Sequence, residues 1–160
     1  MFNLEQQVVS LELAKRLKEL NVKQESYFYW NTDKAFIGED NMYVVQKKDC
    51  RSVKDGYSID EYSAFTVAEL GEMFPVIIDT KDARGTFDFV ISKTFSDKKW
   101  FVGYSKINLG RIHSDDQHYT LAGQQYERTL ADALGKMLIY LLENNLIEVK
   151  ALIQEEKEKL

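Results

Sequence analysis

The 160-residue chain carries one cysteine, Cys50, and one proline, Pro75. A lone thiol allows no internal disulfide, so the chain is not a disulfide-stapled scaffold and suits a reducing compartment. With a single proline there is no Pro-rich linker to separate domains. The eight glycines are scattered. None forms a phosphate-cradling loop and there is no Gly-x-Ser-x-Gly elbow, which excludes P-loop nucleotide hydrolysis and the serine hydrolases built on that turn. Long apolar runs are also missing: the longest, Met137 to Leu142, is far below the roughly 20 residues of a membrane span. The start, Met1-Phe2-Asn3-Leu4-Glu5, lacks the basic-then-apolar order of a secretory leader, so a cytoplasmic protein without membrane attachment is expected. Positive charge is in deficit, with 21 Lys plus Arg against 26 Asp plus Glu and a net charge of -5. That is the wrong sign for coating nucleic-acid backbone, and too mild and interleaved for a DNA mimic.

What is present is ordinary globular material, 44% hydrophobic and 29% charged. Such a chain can bury one sizeable core. The simplest organisation is a single domain over residues 1–147, followed by a charged tail over 148–160.

Hydrophobic periodicity assigns the elements. Val9, Leu13, Leu17 and Leu20 share one helical face, which predicts an amphipathic helix within Asn3–Leu20, capped at Asn3 or Ser10. Ser26 to Trp30 is aromatic on both faces and reads as a buried strand, with Asn41 to Gln46 as its antiparallel partner and a polar loop from Lys47 to Glu61. Thr66-Val67-Ala68-Glu69 has the spacing of a capping box and opens a short helix that ends at Pro75. After a short strand at Val76–Asp79, Thr86 to Phe95 alternates, Ser96-Asp97-Lys98 turns, and Lys99 to Ile107 returns as a hairpin. Gln117 to Tyr126 is a further strand candidate. Thr129 caps a long helix whose apolar sector is Leu130, Ala133, Leu134, Met137, Leu138 and Leu141. Ile139, Leu146, Ile153 and Leu160 recur every seven residues. Either the tail extends this helix and pairs with another copy, or Asn144-Asn145 ends it. The fold class is therefore α+β: an antiparallel sheet of about five strands, covered by the N-terminal and the long C-terminal helix.

Three blocks, Ser10 to Trp30, Phe65 to Pro75 and Thr129 to Ile147, resemble small proteins of unknown function encoded by tailed bacteriophages and prophages. They cover about a third of the chain and consist of core-forming elements. The resemblance implies a phage or prophage genome and a bacterial host cytoplasm. It brings no catalytic residues with it.

Candidate chemistry concentrates in Arg111 to Thr120, which holds both histidines. His113, Asp115, Asp116 and His118 are the residue types of a divalent-metal hydrolase. Their spacing matches no metal motif, and Ser114-Asp115-Asp116 is equally the composition of a solvated turn. His118-Tyr119-Thr120 lacks the second His-x-Thr or His-x-Ser of the paired phosphoesterases. Cys50 sits among Lys47, Lys48 and Arg51, but no histidine base lies nearby in sequence. No catalytic residue, cofactor or metal is therefore assigned.

The remaining chemistry is aromatic and cationic. Tyr27, Tyr29, Trp30, Trp100, Tyr104, Tyr119 and Tyr126 could stack on a base, or equally fill the core, and Arg51, Arg84, Arg111 and Arg128 could pair with phosphate. Trp30, Tyr104, Arg111, His113, His118 and Arg128 are the expected ligand-binding set. The expected function is a phage-encoded, non-catalytic binding protein, homo-oligomeric through its C-terminal helix, that sequesters a host molecule. That molecule is a small nucleotide-like immune signal or a host defence protein. A metal-dependent hydrolase using His113, Asp115, Asp116 and His118, and a virion accessory or assembly protein, are the alternatives.

Overall fold

The computed structural model describes residues 4–32, 42–46, 61–80, 85–106, 119–120 and 123–148. Within them the chain is α+β, with three α-helices and antiparallel strands divided between two sheets that share one core. No helix among the described residues is long and apolar enough to cross a membrane.

The first helix is shorter than its periodicity suggests. A 3-10 turn at Leu4–Gln6 precedes α1, which runs only over Leu11–Glu19. Between them Val8 bridges to Thr66 and the Val9 N–H donates to the Phe65 carbonyl at 3.0 Å. Val8 and Val9 are β-branched and fully buried, so tertiary pairing holds this stretch extended against any local helical tendency. Helix α1 closes with a left-handed Asn21 (φ 62°), the Val22 N–H returning to the Leu17 carbonyl and the Asn21 N–H to that of Lys18. Helix α2 spans Val67–Glu72 and is opened by the expected capping box of Thr66 and Glu69.

Helix α3, Leu130–Glu143, is the centre of the core. Eight of its residues, from Ala131 to Leu142, are buried. The Thr129 hydroxyl accepts from the Asp132 N–H at 3.1 Å, as its capping position predicts. At the other end Asn145 is left-handed (φ 53°), the Leu146 N–H bonds to the Leu141 carbonyl and the Asn145 N–H to that of Leu142. This is the same closure as in α1, in which orphan carbonyls are satisfied and an apolar residue folds back on the helix. The helix therefore stops at Asn144-Asn145. Leu146 packs against the domain core, so the seven-residue pattern through Ile139 and Leu146 does not run along one continuous helix. Ile153 and Leu160 lie outside the described residues.

Helices α1 and α3 pack side by side. The Ser10 N–H donates to Asp132 Oδ1 at 2.8 Å near their starts, and Arg16 Nη2 pairs with Glu143 Oε1 at 2.6 Å towards their ends. Gly135 permits the close approach, since a Cβ there would meet Val9 Cγ1 at 3.0 Å and Leu13 Cδ1 at 3.4 Å.

The first sheet has the order β2-β1-β3, from β1 (Phe28–Thr32), β2 (Met42–Gln46) and β3 (Glu61–Ser63). Trp30 lies opposite Val44 on one side and Tyr62 on the other. The expected β1–β2 pair is present. Strand β3 begins at Glu61, where the polar stretch read as loop ends, and its one apolar residue, Tyr62, is flanked by Glu61 and Ser63. The second sheet runs β4 (Ile77–Thr80), β5 (Gly85–Lys93) and β6 (Trp100–Lys106). Two short strands, β7 (Tyr119–Thr120) and β8 (Gln125–Glu127), lie along the far edge of β6. The predicted hairpin is present, with Phe89 opposite Tyr104 and Ile91 opposite Val102. The pairing slips by two residues between Val102–Gln125 and Ser105–Thr120. Gly123, at φ 100°, lies in this interruption with the Tyr140 ring 2.3 Å from where a Cβ would sit.

Candidate functional site: an open cleft beside helix α3

The strands and helices converge on an open cleft of about 500 Å³. One wall is the N-terminal turn, Leu4, Gln6 and Gln7, held in place by the Val8–Thr66 bridge. Another is the start of α2, Thr66 to Ala68, and a third is Arg128, Thr129 and Leu130 leading into α3. Phe28 from β1 and Trp100 from β6 supply aromatic surface. Sheet pairing explains the grouping: Trp100 lies opposite Lys93 on one neighbour and Glu127 on the other, so Arg128 follows directly from the strand beside it.

Hydrogen bonds fasten the start of α2 and the start of α3 in the walls. Glu69 is the fastener: its carboxylate accepts from the Thr66 N–H and hydroxyl, both at 2.7 Å, from the Ser26 hydroxyl at 3.1 Å and from the Tyr27 N–H at 2.9 Å. The bonds join the two residues that precede β1 to the start of α2. The Asp132 carboxylate is bonded to the Ser10 N–H. The acids of both first helical turns therefore act as structural acceptors, and neither lines the cleft.

The electrostatics are one-sided. Among the described residues Arg128 is the only charged one on the lining, and no carboxylate is among them. A second cation stands close by, since Lys93 Nζ lies 5.0 Å from the centre of the Trp100 ring. In a chain of net charge -5, the described lining carries one positive charge. An aromatic floor, an exposed guanidinium and neutral amides and hydroxyls are the groups that hold a flat molecule by its face and an anion by its oxygens.

The expected ligand-binding residues separate into three groups. Trp30 and Tyr104 are core residues. Trp30 is 8% exposed and its indole Nε1 donates to the Val9 carbonyl at 2.8 Å. Tyr104 is fully buried, its hydroxyl donates to the Pro75 carbonyl at 2.6 Å, and burial pushes its phenol well above the usual tyrosine range. Neither offers an open ring face. Arg128 is exposed and lines the cleft. Arg111, His113 and His118 lie outside the described residues, as do Cys50, Asp115 and Asp116. Among the described residues no group of three or more His, Cys, Asp or Glu is placed to hold a metal ion. Sequence reasoning did not select Phe28, Gln6, Gln7 and Thr129 as site residues. Trp100 is among the aromatics named as able to stack on a base, but it is not in the expected ligand-binding set. The available signal was positional: Trp100 and Arg128 each stand at the end of an element.

Compared with family models, curated proteins and solved structures, the chain matches none.

Proposed function

We propose that the chain is a non-catalytic binding protein that captures a small, flat, anionic molecule of nucleotide-like chemistry in the cleft beside α3. The observation that carries this reading is the composition of the lining among the described residues: two aromatic rings, one guanidinium, several neutral hydrogen-bonding groups and no carboxylate. A base would lie against Trp100 or Phe28, and its phosphate would pair with Arg128 in a charge-assisted bond. Such a protein acts by sequestration, lowering the free concentration of its ligand. A phage or prophage setting, with a host immune signal as the molecule captured, rests on the resemblance of the three sequence blocks.

Isothermal titration calorimetry tests the reading with a panel of mononucleotides, cyclic mononucleotides and cyclic dinucleotides. At least one should bind with a Kd well below about 1 mM, and Arg128→Gln should weaken it about tenfold. Arg128 is exposed, so this variant leaves the fold intact. Failure of the whole panel to bind, or equal affinity for wild type and Arg128→Gln, would contradict the proposal.

A further inference from the structure

The hairpin joining β5 to β6 ends in a residue that the domain does not use. Phe95 is completely exposed, on a turn that is otherwise tightly closed. The Thr94 N–H donates to the Lys99 carbonyl at 2.9 Å, the Lys99 N–H donates to Thr94 Oγ1 at 3.1 Å, and the Thr94 hydroxyl bonds to the Asp97 carboxylate. A rigid turn presents an aromatic side chain with little ordering left to lose on association.

Lys98 makes the same point through the backbone. It has φ 56°, in the left-handed region. The other positive-φ residues among those described are Asn21, Asn145 and Gly123, the types that adopt this conformation at least cost. Here alone the chain places a lysine. What a lysine adds is a cation, and Lys93, Lys98 and Lys99 outnumber Asp97 at a tip carried by an acidic chain.

The complement is on the chain itself. A groove of about 580 Å³ lies between α1 and α3, with Leu13, Ile139 and Tyr140 as its apolar surface. Two of its cations are paired, Arg16 with Glu19 and Glu143 and Lys136 with Glu127, while Lys15 Nζ sits 5.6 Å from the centre of the Tyr62 ring. Glu12, also on the groove and exposed, has no partner among the described residues.

We infer that the hairpin tip of one copy docks in the α1–α3 groove of a second copy, with Phe95 on the apolar surface and a tip lysine against Glu12. Tip and groove are different surfaces, so the contact is head-to-tail and each copy offers both halves. The inference is independent of the cleft.

Sedimentation velocity of the full chain, from tens of micromolar to about 1 mM, tests it. Wild-type mass should rise with concentration, less so in high salt. Phe95→Ala and Glu12→Lys, both at exposed positions, should each associate at least tenfold more weakly. Mixed in equal amounts, they should form a heterodimer and nothing larger, because one copy keeps its groove and the other its tip. Lys98→Asn should weaken association several-fold without lowering Tm, which a purely structural lysine would not do. A wild-type chain that stays monomeric, a Phe95→Ala chain that associates like wild type, or a mixture that stays monomeric would each overturn the inference.

Discussion

Glu69 links the cleft to the fold, and its removal can be worked through quantitatively. In Glu69→Ala three donors lose their acceptor, the N–H and hydroxyl of Thr66 and the N–H of Tyr27, while the Ser26 hydroxyl keeps its bond to the Ala64 carbonyl. Tyr27 is 75% exposed, so its amide regains water at little cost. The Thr66 hydroxyl can rotate. The half-buried Thr66 amide loses its acceptor outright, worth about 1–3 kcal/mol, and the reciprocal cap is broken, worth about 0.5–2 kcal/mol. These overlap, and the expected loss is about 3 kcal/mol. For a chain of this length that lowers Tm by roughly 6–12 °C. Glu69→Gln keeps a carbonyl acceptor and the capping-box geometry, so its cost is about 1 kcal/mol. Urea titrations followed by far-ultraviolet circular dichroism would measure both. Because Glu69 fixes Thr66 to Ala68 in the cleft wall, the alanine variant should also bind ligand more weakly under conditions where it is folded. A Glu69→Ala chain within about 0.5 kcal/mol of wild type, or a glutamine variant as damaged as the alanine one, would refute this reasoning.

Three further expectations concern the backbone and the hairpin turn. Gly123→Ala combines a positive φ with a methyl group driven into the Tyr140 ring, so a loss of about 2–4 kcal/mol is expected in the same titration. Asn145→Gly should be neutral or slightly stabilising, whereas Asn145→Ala should cost about 1 kcal/mol, because only the left-handed conformation at α3's end distinguishes them. At the hairpin, hydrogen bonds from the Thr94 hydroxyl and the Lys99 backbone hold the Asp97 carboxyl below its ordinary value of 3.8. Stabilisation by a depressed carboxylate is fully present above the unfolded value and fades as pH falls through the folded one. The turn should therefore stay closed at pH 3.8, as slow exchange of the Lys99 amide would report.

The parts of the fold legible in the sequence were those written in local chemistry. The Thr66–Glu69 box, the Thr129 cap and the alternating hairpin each satisfy a rule that acts within a few residues, and each stands where the pattern put it. The errors came where distant partners decide. Val9 fits the helical face of Leu13 and Leu17, yet pairing of Val8 and Val9 with Thr66 and Phe65 holds the stretch extended. Glu61–Ser63 has too few apolar residues to announce a strand, and becomes one because β1 offers it an edge. Of the two readings left open for the C-terminus, the asparagine stop is the one realised, through a left-handed residue that heptad counting does not register. The site was legible only in part. Arg128 was selected for its guanidinium, and it is the residue that lines the cleft. Trp30 and Tyr104 were selected for the same chemistry as Trp100, and aromatic type alone does not distinguish a ring inside the core from one at its margin.

The account's central claim is that the cleft beside α3, and not the aromatic core, receives a flat anion. The two tryptophan indoles make this directly observable by 15N-resolved NMR, because Trp100 lines the cleft while the Trp30 indole is bonded to the Val9 carbonyl inside the core. On titration with the nucleotide that calorimetry selects, the Trp100 indole and the Arg128 amide should shift together and saturate at one concentration, with the Trp30 indole unmoved. Shifts that leave Trp100 and Arg128 in place, or that appear first at Trp30, would contradict the claim.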